Sequence, residues 1–589
     1  MHRFRVLRLT LVGLAVVVVL GGAWAGWQAW QVVRDLREAV DQGRALQDAL
    51  AGDATVSADD PRIAALRASS AAAAERTSTP TWKVLTHLPV VGDDASGVQA
   101  TSAALDVLAR RGVGPMIETA GQLDAVLPSK GGVDLAVVQR IAGPVAQAEE
   151  AFAEARALLD GEQPSGYVAQ LQSQFVEFRD RVDDAATGLR SAEVATRVLP
   201  AMLGGDGTRH YLLVFQNNAE VRATGGLPGS VSYLQAADGR VSLRQQVSGG
   251  SFGGVDRPVL PLSSAERSLY SDIVGQYFLD ANMTPDVPRA ADLMRARWNQ
   301  RFPASPVDGV VLVDAVAVSY LLDATGSITV DDLRLTGDNV VDELLHRTYL
   351  RLPRAADQDA FFARVAQQTF DRFSAGFGDP KAAFSALGRA VRERRLVVHS
   401  FDEATDETLA ASTIGGDPMT ATAGTGRPQL DLTVNDTTGS KMSYFLRFDA
   451  TALATSCRDD RQAYTVRARV RSIAPRDAAR LPRFVTGGGN DGAPPGGQIV
   501  TLRLFGPQGG RISSYSVDGV ASETIDVLDD GRPVAMSYLT LSPGQSIDLS
   551  WAAFSGPGQT APTDLRTTPS IEPGASADVL PSVCGRGGE

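Results

Sequence analysis

The spacing of hydrophobic positions changes three times along the chain, and each change marks a new kind of structure. Residues 9–33 carry no charged side chain. A helix of that length, at about 1.5 Å per residue, exceeds the roughly 30 Å hydrocarbon core of a bilayer and can span it with some tilt. Arg3, Arg5 and Arg8 precede the run, and Trp24, Trp27 and Trp30 gather at its far end. Basic flanks stay in the cytoplasm and aromatic belts sit at interfaces. The pattern therefore predicts a basic cytoplasmic N-terminus over 1–8, a transmembrane helix over 9–33, and a single-pass protein whose bulk is extracytoplasmic. A cleaved signal peptide is the competing reading, because Ala23-Trp24-Ala25 has the small-x-small form. The length of the run, and its continuation into helical spacing at Val33, Leu36 and Val40, favour an uncleaved anchor. Either reading exports everything downstream.

Over 34–198 apolar residues recur at three/four spacing. Asp60-Pro61 places a cap before a proline at the first helical position, opening an Ala-rich helix to about residue 76. Leu135, Val138, Ala142, Val145, Phe152 and Leu159 form one stripe. Val168, Leu171, Phe175, Phe178, Val182, Ala185 and Leu189 form another. Stripes of this kind pack against each other, so the region reads as a helical stalk or bundle.

The pattern changes again at His210. The run 211–215 is continuously apolar and suits a strand buried on both faces. Two alternating segments, 231–234 and 241–245, flank Asp238-Gly239 as a hairpin would. A strand over 310–313 leads through Asp314 as cap into a helix over 315–324, which Gly326 stops before a strand at 328–330. Helices over 339–350, 358–375 and 381–393, then a strand at 396–398, complete an α/β domain over 199–400. Residues 401–427 read as a linker. From 428 to 589 the helical signals stop. Tyr464, Val466, Ala468 and Val470 alternate with Thr465, Arg467, Arg469 and Arg471, and six further strand segments follow or precede them between Gly/Pro turns. An immunoglobulin-like β-sandwich is the fold this suggests. The fold class is thus multidomain: anchor, helical stalk, α/β domain and sandwich.

Composition narrows the function. Of 56 basic residues only Lys83, Lys130, Lys381 and Lys441 are lysines, a bias toward arginine that goes with a GC-rich bacterial genome. The net charge of -12 argues against general nucleic-acid binding, which needs a basic footprint. The two cysteines, Cys457 and Cys584, would form one disulfide in an oxidising compartment; two unrelated buried thiols are the alternative. The five histidines show no metal-ligand spacing, and no Gly-x-Ser-x-Gly elbow occurs.

The densest polar segment directly follows the buried strand at 211–215, where α/β sheets bind ligands. It contains Asn217, Asn218, Glu220, Arg222, Thr224, Gly225 and Gly226. Its side chains could grip a phosphate, and Gly225-Gly226 would let backbone amides approach; a well-bonded turn with a Glu220–Arg222 pair is the structural alternative. Asp280 and Asp286 form a second polar group that could hold Mg²⁺ beside a phosphate, or simply a surface loop.

The string from Val214 to Gly226, the string from Val307 to Gly326, Asn339-Val-Val341 and Gly439-Ser-Lys-Met-Ser-Tyr444 resemble domain-of-unknown-function family 4012, whose members are bacterial and membrane-anchored. The unit over 307–330 and a later helix with Arg364 and Gln367-Gln368 also resemble the LytR-CpsA-Psr phosphotransferases. That second resemblance implies an extracytoplasmic protein moving glycopolymers from polyprenyl-pyrophosphate lipids to peptidoglycan, with arginines on the pyrophosphate and acidic residues on Mg²⁺. It nominates Arg222, Arg257 and Arg364. Ala223-Thr224-Gly225-Gly226 stands where that family has Ser-Asp-Thr, and Asp256-Arg257 reverses its Arg-Asp. The expectation is an envelope protein that binds or transfers a polyprenyl-phosphate-linked glycan. The alternative is a noncatalytic scaffold.

Overall fold

The computed structural model describes residues 24, 26–46, 49, 60–89, 91–122, 126–128, 132–410, 412–416, 426–489, 492–574 and 576–584. The basic N-terminus at 1–8 and most of the span expected over 9–33 lie outside these. Among the described residues no helix is long and apolar enough to cross a membrane. The chain divides into two compact units. One joins Met1–Val126 to Ala136–Arg197, the other Leu127–Leu135 to Val198–Glu589.

The first unit is helical. After a helix covering 26–46 come α1 (Pro61–Thr77), α2 (Gly92–Val107), α3 (Leu135–Asp160) and α4 (Ala169–Met202). Asp60 caps α1 by accepting from the Arg62 amide, and Pro61 takes the first helical position. Ala100, Ala104 and Leu108 meet Ala155, Leu159, Phe175 and Val182 in one core. Val168, expected at the head of the last stripe, is exposed because α4 begins one residue later.

The second unit holds an α/β domain and a β-sandwich. The central sheet draws on β1 (Arg209–Asn217), β2 (Leu227–Ala237), β3 (Arg240–Ser248) and β4 (Gly309–Asp314). A separate hairpin, β5 (Ile328–Val330) and β6 (Leu333–Leu335), comes before the last sheet strand, β7 (Leu396–Ser400). The order is β3-β2-β1-β4-β7, with β1 and β4 the parallel pair. The β2–β3 hairpin turns on Asp238 and Gly239, both at positive φ, as a two-residue primed turn requires. Asp314 accepts the Ala317 amide at 2.8 Å and so starts α6 (Ala315–Thr325). One face of the sheet, with Leu212, Val214 and Leu312, packs on Leu293, Met294 and Trp298 of α5 (Val287–Arg301). Burying each such side chain contributes about 1.5–3 kcal/mol. On the other face lie α6, α7 (Ala355–Ser374) and α8 (Pro380–Arg392).

Residues expected as a linker over 401–427 include a helix, Glu403–Ala410, capped by Asp402 through the Thr405 amide. Its Leu409 is buried, so this helix packs with the domain. No apolar periodicity after the strand at 396–398 revealed this helix.

Among the described residues the sandwich has eleven strands. They are β8 (Gln429–Asp436), β9 (Leu446–Arg458), β10 (Arg461–Ser472), β11 (Gln498–Phe505), β12 (Arg511–Val517), β13 (Val520–Ala521), β14 (Ile525–Asp529), β15 (Arg532–Leu541), β16 (Ser546–Phe554), β17 (Thr563–Thr567) and β18 (Ala577–Leu580). One sheet runs β13-β12-β16-β10-β9 and the other β14-β15-β11-β8-β17-β18. The inward residues of β10 (Tyr464, Val466, Ala468 and Val470) meet Leu432, Leu502 and Leu504 from the opposite sheet. The two cores interlock. Val221 of the α/β domain lies in the sandwich core, while Phe505 and Val534 of the sandwich lie in the α/β core. Cys457 and Cys584 are joined by a disulfide across 127 residues, a closure worth roughly 5 kcal/mol in the chain-entropy model.

Candidate functional site

Beyond Asn217 the chain leaves the sheet and dips into the sandwich. The Asp436 amide donates to the Val221 carbonyl at 2.9 Å, the Ala223 amide to Asn435 Oδ1 at 3.1 Å, and Thr568 Oγ1 to the Ala223 carbonyl at 3.0 Å. This places Arg222 among carboxylates. Its Nη2 donates to Glu220 Oε1 at 3.1 Å and Asp280 Oδ1 at 3.0 Å, and its Nη1 to the carbonyls of Val221 and Asp436. The side chain is 7% exposed. The other oxygen of Glu220 accepts from Lys441 Nζ at 2.5 Å. Burial opposes ionisation of Glu220, yet Lys441 and then Arg222 outweigh it and hold the carboxyl below its usual value. At Asp280 burial wins over Arg222 and raises the carboxyl above its usual range. The Lys441 ammonium is disfavoured by burial, but Glu220 and then Tyr349 keep it charged.

A neutral cluster lies beside this knot. Asn282 Nδ2 donates to Gln216 Oε1 at 3.0 Å, Thr224 Oγ1 at 2.8 Å and the Gly226 carbonyl at 2.8 Å. Gly226 is pressed against the Asn217 backbone, where a Cβ would come within 2.3 Å, so no larger residue fits. Asn218 Nδ2 and Arg395 Nη1 both donate to Asp314 Oδ2, at 3.0 and 2.8 Å. Arg395, 1% exposed, continues to the carbonyls of Ser570 and Glu572. The crevice past the parallel pair β1–β4 is therefore filled by protein.

An open cleft of about 860 Å³ lies along the flank instead. Phe215, Leu227, Tyr349, Phe362 and Phe484 line it, with Glu220 and Lys441 among its polar residues. Lys441 Nζ stands 5.7 Å from the ring centre of Tyr349 and 5.8 Å from that of Phe484, within cation–π range. Asn217 reaches the cleft too and donates to Tyr349 Oη. Among the described residues Glu220 is the sole hydrogen-bond acceptor of the Lys441 ammonium, which has three N–H groups to give. Asp359 and Arg483 add two further charged groups to the lining. A largely apolar cleft with a few convergent polar groups is the usual form of a small-ligand site.

Residues 206–349 match the family model described as protein of unknown function (DUF4012). This stretch is a DUF4012 domain. No curated protein and no solved structure matches the chain. The DUF4012 stretch supplies Asn217, Glu220, Leu227 and Tyr349 to the cleft, whereas Phe362, Lys441 and Phe484 come from beyond it.

The residues singled out from the sequence are divided by this arrangement. Asn217 and Glu220 reach the cleft. Asn218, Arg222 and Thr224 are buried and bonded within the DUF4012 domain and its neighbours, and Gly225 is a turn residue at positive φ. Arg222 therefore cannot offer its fork to a phosphate. Both of its terminal nitrogens are already engaged by carboxylates and carbonyls. Arg257 is exposed in a loop and Arg364 pairs on the surface with Asp331 at 2.8 Å; neither lines the cleft. Asp280 is taken by Arg222, and Asp286 caps α5 through the Arg289 amide at 3.0 Å. The two acids share no donor set for Mg²⁺. Among the described residues no group of three or more His, Cys, Asp or Glu is placed to hold a metal ion.

Sequence reasoning missed Lys441, Tyr349, Phe362 and Phe484 as site residues. A signal for Lys441 was present: it is one of only four lysines and falls within Gly439–Tyr444. The three aromatics carry no local mark distinguishing them from core residues.

Proposed function

We propose that this protein is a membrane-anchored, extracytoplasmic component of the bacterial cell envelope that serves glycopolymer assembly by binding a polyprenyl-phosphate-linked glycan. The observation that carries this reading is the cleft beside Lys441, where apolar walls suit a prenyl chain and a shielded ammonium suits its phosphate. The uncharged run at 9–33 with its arginine and tryptophan flanks supports the anchor, and the Cys457–Cys584 disulfide supports an oxidising compartment. On the same reading the α/β domain is LytR-CpsA-Psr-like, the sandwich immunoglobulin-like, and peptidoglycan a partner surface.

Binding is favoured over phosphoryl transfer, because Arg222, Arg257 and Arg364 do not converge and Asp280 and Asp286 are committed elsewhere. The test is mass spectrometry of lipids copurified with the detergent-extracted chain. Polyprenyl phosphates should accompany the wild type and be depleted from Lys441→Met. Their absence from the wild type would sink the proposal. The filled crevice past β1–β4 favours a second reading, a noncatalytic scaffold, which would copurify without lipid. Orientation is tested by a cysteine at the exposed Leu453. An impermeant reagent should label it on cells whose outer layers admit the reagent, and labelling only after lysis would overturn the topology.

A further inference from the structure

The flank of the cleft opens at a β-bulge. Phe215 pairs with Ser230 and Gln216 with Pro228, so Gly229 is the extra residue on β2. Bulges re-aim neighbouring side chains and gather beside binding sites. Here the bulge borders an annex of about 220 Å³ whose lining includes Gly229, Ser230, Gln246, Ser248, Asp359 and Phe362. All of these but Gln246 also line the main cleft, so the two spaces are continuous.

The chemistry of the annex differs from that at Lys441. Its lining holds hydroxyls, one side-chain amide, one carboxylate and one aromatic ring, and no cation. Gln246 Nε2 donates to Ser230 Oγ at 3.2 Å, and its amide oxygen is a further acceptor. Asp359 has no ion-pair partner among the described residues. A phosphate would be repelled by Asp359, and a prenyl tail would strip water from the amide and carboxylate without replacing their hydrogen bonds. A polyol both donates and accepts, as these groups require, and a pyranose also presents a C–H face to an aromatic ring.

We infer that the annex is a subsite for one uncharged sugar ring, seated against Phe362 and hydrogen-bonded by Asp359, Gln246 and Ser230. This inference rests on the reading of the cleft as a lipid-phosphate site and adds the ligand's next unit. The ligand would lie with its phosphate toward Lys441 and its first sugar toward the bulge. The absence of a side chain at Gly229 is then what leaves room for the ring. A Cβ there would meet its nearest neighbour, Asn217 Cβ, at 3.6 Å, which is ordinary contact, so a larger residue can be introduced without breaking the strand.

The test titrates the full chain in detergent with farnesyl monophosphate and with its glucosyl phosphodiester. In the wild type the glucosylated probe should bind about tenfold tighter, the worth of one or two net hydrogen bonds. Gly229→Leu and, independently, Gln246→Ala should bring the ratio between the probes close to one, with melting temperatures reported for each. Equal binding of the two probes by the wild type, or a sugar preference that survives both substitutions, would overturn the subsite while leaving the lipid-phosphate reading intact. Failure of both probes to bind would overturn that reading, and the subsite with it.

Discussion

The carboxyl end of the β1–β4 pair and the β2 flank beside it begin at neighbouring residues and are finished in opposite ways. At the end of the pair, Glu220, Arg222, Asp280 and Lys441 neutralise one another under the sandwich. On the flank, a bulge at Gly229 breaks the register of β2 and leaves a cleft. Open α/β sheets bind ligands past their strand ends. In this molecule that position is spent on joining two domains, and the open cleft lies to the side. Glu220 belongs to both regions, since one carboxylate oxygen faces Arg222 and the other faces Lys441.

The largest expected effect separates the two regions by stability. Arg222→Ala leaves Glu220 and Asp280 buried with less compensation, and breaking a buried pair from one side costs about 3–5 kcal/mol. Urea unfolding should show this loss. A variant as stable as the wild type would mean that the knot is not structural. The same pair fixes the acid limb. The Glu220 carboxyl is depressed in the folded state, so its contribution is present above the unfolded value near 4.5 and is lost as pH falls through the lower folded value. Glu220→Gln should flatten that limb of the stability profile.

The next effect is on binding. Lys441→Met removes the cation that pairs with Glu220 in the cleft, leaving Arg483 on the cleft wall and Glu220 paired with Arg222. Binding of farnesyl phosphate should weaken roughly tenfold to a hundredfold, the worth of a charge-assisted bond. The stability loss should be smaller than for Arg222→Ala. Equal affinity in titration would place the ligand elsewhere.

A smaller effect comes from another part of the domain boundary. Burial, with Asp530, Glu266 and Asp286 nearby, pushes the Asp529 carboxyl up to about 6. A raised carboxyl favours the protonated folded state, so its stabilisation is complete below about 4 and is lost as pH rises toward about 6. Asp529→Asn should therefore stabilise the protein at pH 7.5 by on the order of 1 kcal/mol, after allowance for solvent screening, and should do nothing near pH 4. Thermal melts at the two pH values check the sign. The smallest effect is at Arg364, whose pair with Asp331 is about half exposed on both sides. Arg364→Ala should change stability by about 0–1 kcal/mol and binding not at all.

What the sequence made legible was local. Apolar runs located β1 and β4, period-two spacing located β10, Asp314 and Gly326 bounded α6, and Asp238-Gly239 marked the β2–β3 turn as found. The polar string after β1 was rightly conspicuous, but its role depends on distant partners. Arg222 meets Asp280 across 58 residues and the Asp436 carbonyl across 214, while Glu220 meets Lys441 across 221. Nothing in the spacing of a segment tells whether its charges will be covered by another domain. The short strands β14, β17 and β18 escaped because each is only four or five residues long and β14 and β18 are largely exposed. The cleft escaped because its lining is drawn from segments as far apart as Phe215 and Gly487, and a glycine in a strand pattern suggests a bulge without saying what lies beside it.

Arg395 ties the α/β domain to the last strands of the chain. Its guanidinium closes on the Ser570 and Glu572 carbonyls, 175 and 177 residues further along. During synthesis at about 5–20 residues per second, those acceptors appear on the order of ten seconds or more after the arginine. Until then the nascent α/β domain holds an unfinished polar end and lacks Phe505 and Val534 from its core for much of the wait. Of these two domains, the one made first thus takes its last contacts from the final strands of the other.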